Sequence, residues 1–370
     1  MTIYIILLIV IMILAVIMSF VNSKSTKNQK IKRIVFILII FCILFSVMAL
    51  RGKSVGIDNN LYCVIFNSIT NGNMTEQFDT SMGYVYYNQL VSFLLGDNTR
   101  NIIIANAFVV TLLFVIFVTK SSPNIYVSTV LYVLLYFYLQ SFNITRQFIA
   151  ILLCAIAMKY AIDRKWKMYI ILSISAISIH NTAIFMVIVG LVLGLIKQYN
   201  IKKIMIIWAI ALVSGLFLTP AIKIFITLFP KYISYFTTNN IFGETGSGGK
   251  ILLIIAYLCF TILGLYVLLK RKNKNEDTSE DLCNDRKYMI YTTLIGLACI
   301  VGFEGAFVSL LISRVSLYFE VFTIIYIPMV IERINRRKEV WYLITYIIFF
   351  ISFCAMLLKN ISGVVPYVLY

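Results

Sequence analysis

Long apolar runs separated by short polar interruptions set the rhythm of this chain. Ile3–Phe20, Ile34–Leu50, Ile102–Val118, Ile251–Leu269 and Tyr342–Leu358 carry no charged residue. A helix that crosses a bilayer needs about 20 mostly apolar residues. These runs therefore predict transmembrane helices, and the alternation expected of a membrane β-barrel strand is absent. The first run is long for a signal-peptide core and lacks a basic start, so it reads as a lasting helix. The interruptions rich in Lys and Arg give the orientation, because basic loops stay on the cytoplasmic side. Lys24–Arg33, Arg164–Lys167, Lys197–Lys203, Lys270–Lys287 and Arg333–Lys338 are placed inside. The N-terminus, Arg51–Arg100, Gln140–Arg146, the turn at His180, Pro220–Lys250, Gly302–Arg314 and the tail after Lys359 then face out. The pattern predicts about twelve crossings, the weaker of which can be re-entrant.

Composition agrees with this picture. The chain is 61% hydrophobic and 13% charged, against about 25% charged in soluble domains. The expected fold class is all-α: one polytopic membrane helical bundle over residues 1–370. Within it, 51–100 is expected as an outer loop, 220–250 as an outer loop or lid, and 270–287 as a flexible cytoplasmic loop. The net charge of +17 reads as topology signals and lipid-headgroup anchors rather than nucleic-acid binding. The seven cysteines are scattered, without a CxxC pair or metal spacing, and read as small apolar fillers.

One stretch breaks the length rule. Met168–Ile196 lies between two basic loops and must go out and return, yet two full spans would need about 40 residues. Each arm rises only about 20 Å at 1.5 Å per residue. The turn between them, which holds the chain's one histidine, His180, is therefore expected below the outer surface, lining a cavity that opens outward. Arg146, at the head of another short helix, is expected at similar depth. Ionisable groups at membrane depth are costly and usually mark a pathway or a site.

The outward candidates are Arg51, Lys53, Asp58, Arg146, Gln147, His180, Glu304, Arg314 and Glu320. Arg146 stands at a helix start, where backbone N–H groups favour anions. Its guanidinium adds a planar fork for phosphate, although a snorkelling interfacial arginine would look the same. His180 reads as a base, a phosphate donor or a hydrogen-bonded core residue. Asp58 either orients Arg51 or takes a proton from a hydroxyl. Arg314 and Tyr318 share a helix face one turn apart, and Glu304 or Glu320 can neutralise an arginine. Gly243–Lys250, GETGSGGK, fails the phosphate-loop pattern because Ile251 follows Lys250; it reads as a hinge or lid. Tyr84, Tyr86, Tyr87, Tyr232 and Tyr235 lie in outer loops, where rings pack on sugars or, more commonly, form an interfacial belt. Several outward arginines with tyrosines nearby suggest an anionic ligand carrying a lipid tail and a sugar.

The order of motifs carries a resemblance. Arg51, Val55-Gly56-Ile57-Asp58, Tyr62 and Phe66, then Thr145-Arg146-Gln147-Phe148-Ile149-Ala150, His180-Asn181-Thr182-Ala183, Arg314 with Tyr318-Phe319, and Pro366-Tyr367 resemble the EpsG family. These are Wzy-like bacterial exopolysaccharide and capsule polymerases. Asn59-Asn60 departs from the aromatic that usually follows the aspartate. The resemblance implies a GT-C-like bundle in the bacterial cytoplasmic membrane that transfers a growing chain from undecaprenyl pyrophosphate to the next lipid-linked repeat unit, on the outer face. It implies no metal and no cofactor. The implied partners are the lipid-linked oligosaccharide, membrane lipids, and a flippase and chain-length regulator of the same pathway. On this reading His180, Asp58 and Arg146 are catalytic, with His180 the favoured base, and Arg51, Arg146, Gln147, Arg314 and Tyr318 hold the pyrophosphate. A flippase-like transporter and a membrane acyltransferase are the competing classes.

Overall fold

The computed structural model describes residues 1–20, 26–72, 80–217, 224, 227, 247–272, 279–307, 310–334 and 337–370. Among these, every regular element is helical: α1 Thr2–Phe20, α2 Thr26–Ala49, α3 Asn59–Thr70, α4 Met82–Leu95, α5 Thr99–Ser121, α6 Ile125–Leu134, α7 Phe137–Asn143, α8 Thr145–Ile162, α9 Trp166–Ile179, α10 Ala183–Leu195, α11 Ile201–Leu216, α12 Ser247–Lys272, α13 Ser279–Phe307, α14 Leu310–Glu320, α15 Thr323–Ile334 and α16 Lys338–Leu358, followed by a 3-10 turn over Ile361–Gly363. Asparagine starts several of them. Asn98, Asn124 and Asn200 accept from Arg100 N at 2.8 Å, Val127 N at 3.2 Å and Lys203 N at 3.0 Å, satisfying donors that a helix start leaves open.

Seven helices are long and apolar enough to cross a membrane, or nine if two bent pairs count as spans. The pairs are α6 with α7, bent 52°, and Ile312–Glu320 with α15, bent 41°. The first bend falls at Tyr136, which adopts a left-handed φ of 67°. The chain is a polytopic helical membrane protein by this measure. Among the described residues α9, α10 and α11 are shorter than a 20-residue span, with 14, 13 and 16 residues.

The chain folds as two compact units. The first comprises Met1–Tyr160, Trp166–Ile184 and Leu357–Tyr370, the second Ala161–Lys165 and Phe185–Met356. In the first unit α8 is buried over 78% of its span while α1 and α2 are buried over only 28% and 22% of theirs. Alpha8 is therefore central, and α1 and α2 turn Ile6, Ile13, Ile34 and Leu38 outward, as lipid-facing helices do. The rings of Phe114 and Tyr132 stack beside α8 with centroids 3.8 Å apart. In the second unit the Arg286 guanidinium donates to the carbonyls of Ile162, Gly194 and Ile196 at 2.6, 2.9 and 3.3 Å. Arg333 pairs with Asp285 at 3.0 Å and lies 4.0 Å from the Tyr288 ring centroid.

Two stretches read as loops carry helix. Residues 51–100 hold α3 and α4; α4 buries Tyr84, Val85 and Val91 and leaves Leu90, Phe93 and Leu94 exposed. Within 270–287, Ser279–Lys287 forms the start of α13. The expected lid over 220–250, including Gly243–Gly246, lies mostly outside the described residues.

Candidate active site

The first unit folds the loop between α2 and α3 against the junction of α7 and α8. Gly56 makes this possible. Its φ is +97°, and a Cβ there would meet the Phe142 carbonyl oxygen at 2.5 Å, so only glycine allows the approach. Asp58 N donates to Asn143 Oδ1 at 2.7 Å. Asp58 stands half-buried at the N-cap of α3, and its side chain makes no capping bond.

Arg51 is fully buried. Its Nη2 donates to Asn59 Oδ1 at 3.1 Å, and its Cζ lies 4.6 Å from the Phe142 ring centroid. Nε and Nη1 have no hydrogen-bond partner among the described residues. Burial lowers its pKa to about 10, which leaves the group cationic at neutral pH. Asn59, also buried, donates to the Gly52 and Lys53 carbonyls at 3.3 Å each. Arg51 and Asn59 thus tie the loop to the start of α3. In this conformation the Arg51 side chain is sealed from any ligand, unlike the exposed phosphate contact expected from the sequence.

Arg146 is the second residue of α8 and is half-buried. Its Cζ lies 5.6 Å from the centroid of the Tyr84 ring, within the reach of a cation–π attraction. Tyr62 meets Tyr84 edge-on at 6.1 Å. Burial pushes the Tyr62 hydroxyl far up; Asp58 pushes in the same direction and Arg146 opposes. Tyr62 therefore senses both charges, and the carboxylate and guanidinium share its neighbourhood. Burial likewise raises Tyr84 to about 12, so both tyrosines stay neutral hydrogen-bonding groups. Gln147, the next residue of α8, is buried.

His180 sits half-buried in the turn between α9 and α10. Its N–H donates to the Ala176 carbonyl at 3.0 Å, and its carbonyl accepts from Ala183 N at 3.0 Å. The turn is held to the start of α4: Ser81 Oγ donates to Asn181 Oδ1 at 3.1 Å, and Ile179 packs on the cluster of Tyr62, Ile65, Ile69, Tyr84 and Val85. Gly83 permits this, since a Cβ there would lie 2.5 Å from Ser178 Oγ. The unit thus brings the Asp58 loop, the head of α8 with Arg146, and the His180 turn to one tyrosine pair.

Arg314 and Tyr318 lie in the second unit, on α14. Arg314 is half-buried and Tyr318 buried. Ser316 Oγ on the same helix donates to the buried Glu320 carboxylate.

Among the outer tyrosines, Tyr86 is exposed while Tyr84 has no exposed surface. Tyr84 is therefore neither a sugar platform nor part of an interfacial belt; it is the ring beneath Arg146. Tyr232 and Tyr235 lie outside the described residues. Asn59, Asn143 and Ser81 hold the pieces together; of these, the sequence offers Asn143 only as a polar neighbour of Arg146, and Ser81 not at all. The departure from an aromatic at position 59 was the one available signal, because a buried amide there reaches two carbonyls and a guanidinium.

Comparison with known proteins adds one match: the family model described as the EpsG family covers residues 34–369. No curated protein and no solved structure matches the chain. The matched span takes in the Asp58 loop, the head of α8, the His180 turn, α14 and Pro366-Tyr367, so the chain belongs to the EpsG family.

Proposed function

We propose that this protein is a membrane glycosyltransferase that joins undecaprenyl-pyrophosphate-linked oligosaccharide repeat units into an exopolysaccharide or capsule, within a GT-C-like arrangement of helices. The observation that carries the reading is the gathering of Asp58, Arg146 and the His180 turn around Tyr62 and Tyr84. Membership of the EpsG family supports it.

In the reaction, the hydroxyl at the nonreducing end of the incoming unit attacks the anomeric carbon of the growing chain. The new glycosidic bond forms as the bond to pyrophosphate breaks, and undecaprenyl pyrophosphate leaves with the electron pair. The hydroxyl proton passes to His180 or Asp58. Charge accumulates on the phosphate oxygens, where Arg146, at a helix start, stabilises it; preorganised donors of this kind contribute several kcal/mol. Arg51 acts by holding the Asp58 loop.

Incubation of the purified protein with lipid-linked repeat units tests the proposal. The expected product is a ladder of oligomers on a gel, absent for Arg146→Ala. If the wild-type protein leaves the lipid-linked substrate intact, the proposal fails. Equilibration of the substrate between leaflets without polymer would instead identify a flippase.

A further inference from the structure

The loop that carries Asp58 has almost no regular structure of its own. Three of its backbone donors are satisfied instead by residues more than 300 positions away. Gly52 N donates to the Val368 carbonyl at 2.7 Å, Gly56 N to the Gly363 carbonyl at 2.9 Å and Ile57 N to the Ser362 carbonyl at 3.3 Å, while Tyr370 N donates back to the Leu50 carbonyl at 3.1 Å. Arg51 and Leu369 form an antiparallel bridge.

The same tail is fastened to three helices. Tyr136 Oη on the α6–α7 bend donates to the Ile361 carbonyl at 2.7 Å, and Tyr4 Oη of α1 to the Val364 carbonyl at 2.8 Å. Tyr367 Oη donates to the Val47 carbonyl of α2 at 2.9 Å. The Tyr370 ring lies 4.3 Å from the Arg100 guanidinium and 5.9 Å from Lys53 Nζ. Two contacts are tight, the one at Gly363 too close for a Cβ. A Cβ on Gly52 would meet the Val368 and Leu369 carbonyls at 3.3 Å, and one on Gly363, whose φ is +62°, would meet Ile57 Cγ1 at 2.7 Å.

We infer that residues 361–370 are a strap that positions Asp58: the tail, anchored on α1, α2 and the α6–α7 bend, fixes the backbone of residues 50–57 and so holds Asp58 against Asn143 beside the head of α8. The inference deepens the polymerase reading and rests on it for its functional half. Gly363, Gly52 and Tyr367 are positioning residues; none is asked to touch substrate.

The test measures loop and activity separately. Val55 is fully buried in the loop, so Val55→Cys reports opening through its labelling by a hydrophilic maleimide, after subtraction of the chain without that substitution. Gly363→Ala in the membrane-embedded full chain is expected to speed this labelling about tenfold, as local opening becomes easier. It is expected to cut the turnover rate of polymerisation by roughly tenfold to a hundredfold with KM unchanged, the effect of a misplaced catalytic group. Ile57→Ala removes the atom that the new methyl meets and should restore much of the rate. Gly52→Ala reads the same contact from the loop side if Gly363→Ala fails to accumulate. Unchanged labelling in both variants overturns the strap. Faster labelling with wild-type polymerisation, or a lost rate that Ile57→Ala does not raise, overturns its link to the site. If the wild-type protein makes no polymer, the polymerase reading fails, while the labelling still decides whether the tail holds the loop.

Discussion

Arg146 concentrates the chemistry at the scale of single residues. It is half-buried at a helix start, with an aromatic face under its guanidinium. Arg146→Ala is expected to lower polymerisation by about 10²-fold or more, as loss of a preorganised charge donor does. Arg146→Lys should not recover it, because an ammonium lacks the planar fork. Ladder assays on equal amounts of membrane-inserted protein check both. Tyr84 separates ring from hydroxyl. Tyr84→Phe keeps the ring beneath Arg146 and should retain most activity, whereas Tyr84→Ala opens a core cavity and should cost about 3–5 kcal/mol, read as a lowered unfolding midpoint in detergent. Asn59 is the one hydrogen-bond partner of the buried Arg51 guanidinium among the described residues. Asn59→Ala removes that acceptor from the buried charge and should destabilise the protein by roughly 1.5–3 kcal/mol. The sign of the Arg51 shift agrees. Burial lowers its pKa to about 10, so the unfolded chain binds the proton more tightly and stability rises with pH only above that value. At neutral pH the buried charge is a standing cost, which Asn59 and the Phe142 ring reduce.

At the scale of elements, short helices and close approaches decide what meets what. The apolar pattern over 166–195 is as helical as any other, and the count of residues alone made its arms short; α9 and α10 have 14 and 13 residues. That α9 lies against α4 was not legible, because Gly83 resembles any loop glycine until Ser178 is seen 2.5 Å from its missing Cβ. Gly83→Val should push α4 from α9, at a cost of about 1–3 kcal/mol. It should also weaken polymerisation more than stability, since it moves the His180 turn; comparing ladder yield with the unfolding midpoint checks this. The Arg286 fork is the counterpart in the second unit. Arg286→Ala leaves the carbonyls of Ile162, Gly194 and Ile196 without this donor and should cost about 2–3 kcal/mol, with no separate effect on turnover per folded molecule.

For the whole molecule, parity is the sharpest statement. Basic loops on both sides of α9 and α10 require that pair to return to the side it left. With both bent pairs counted as spans there are nine among the described residues, and a crossing at α11 then predicts that the two termini lie on the same side. Reporter fusions at each end are expected to agree; opposite sides would show that α11 does not cross. Membrane class, helical elements and the depressed length of the α9–α10 arms were determined by the sequence itself, as was the choice of Arg146 for testing, because the solvent requirement of a 20-residue apolar run and the chemistry of each side chain are local properties. Only the tertiary structure decided that Arg51 is sealed while Arg146 is half-open, that Tyr84 lies under a guanidinium, and that the tail at 361–370 shapes the loop at 50–57. Those outcomes depend on pairings hundreds of residues apart, made by backbone groups that every residue carries, and no local pattern of side chains specifies which of them will meet.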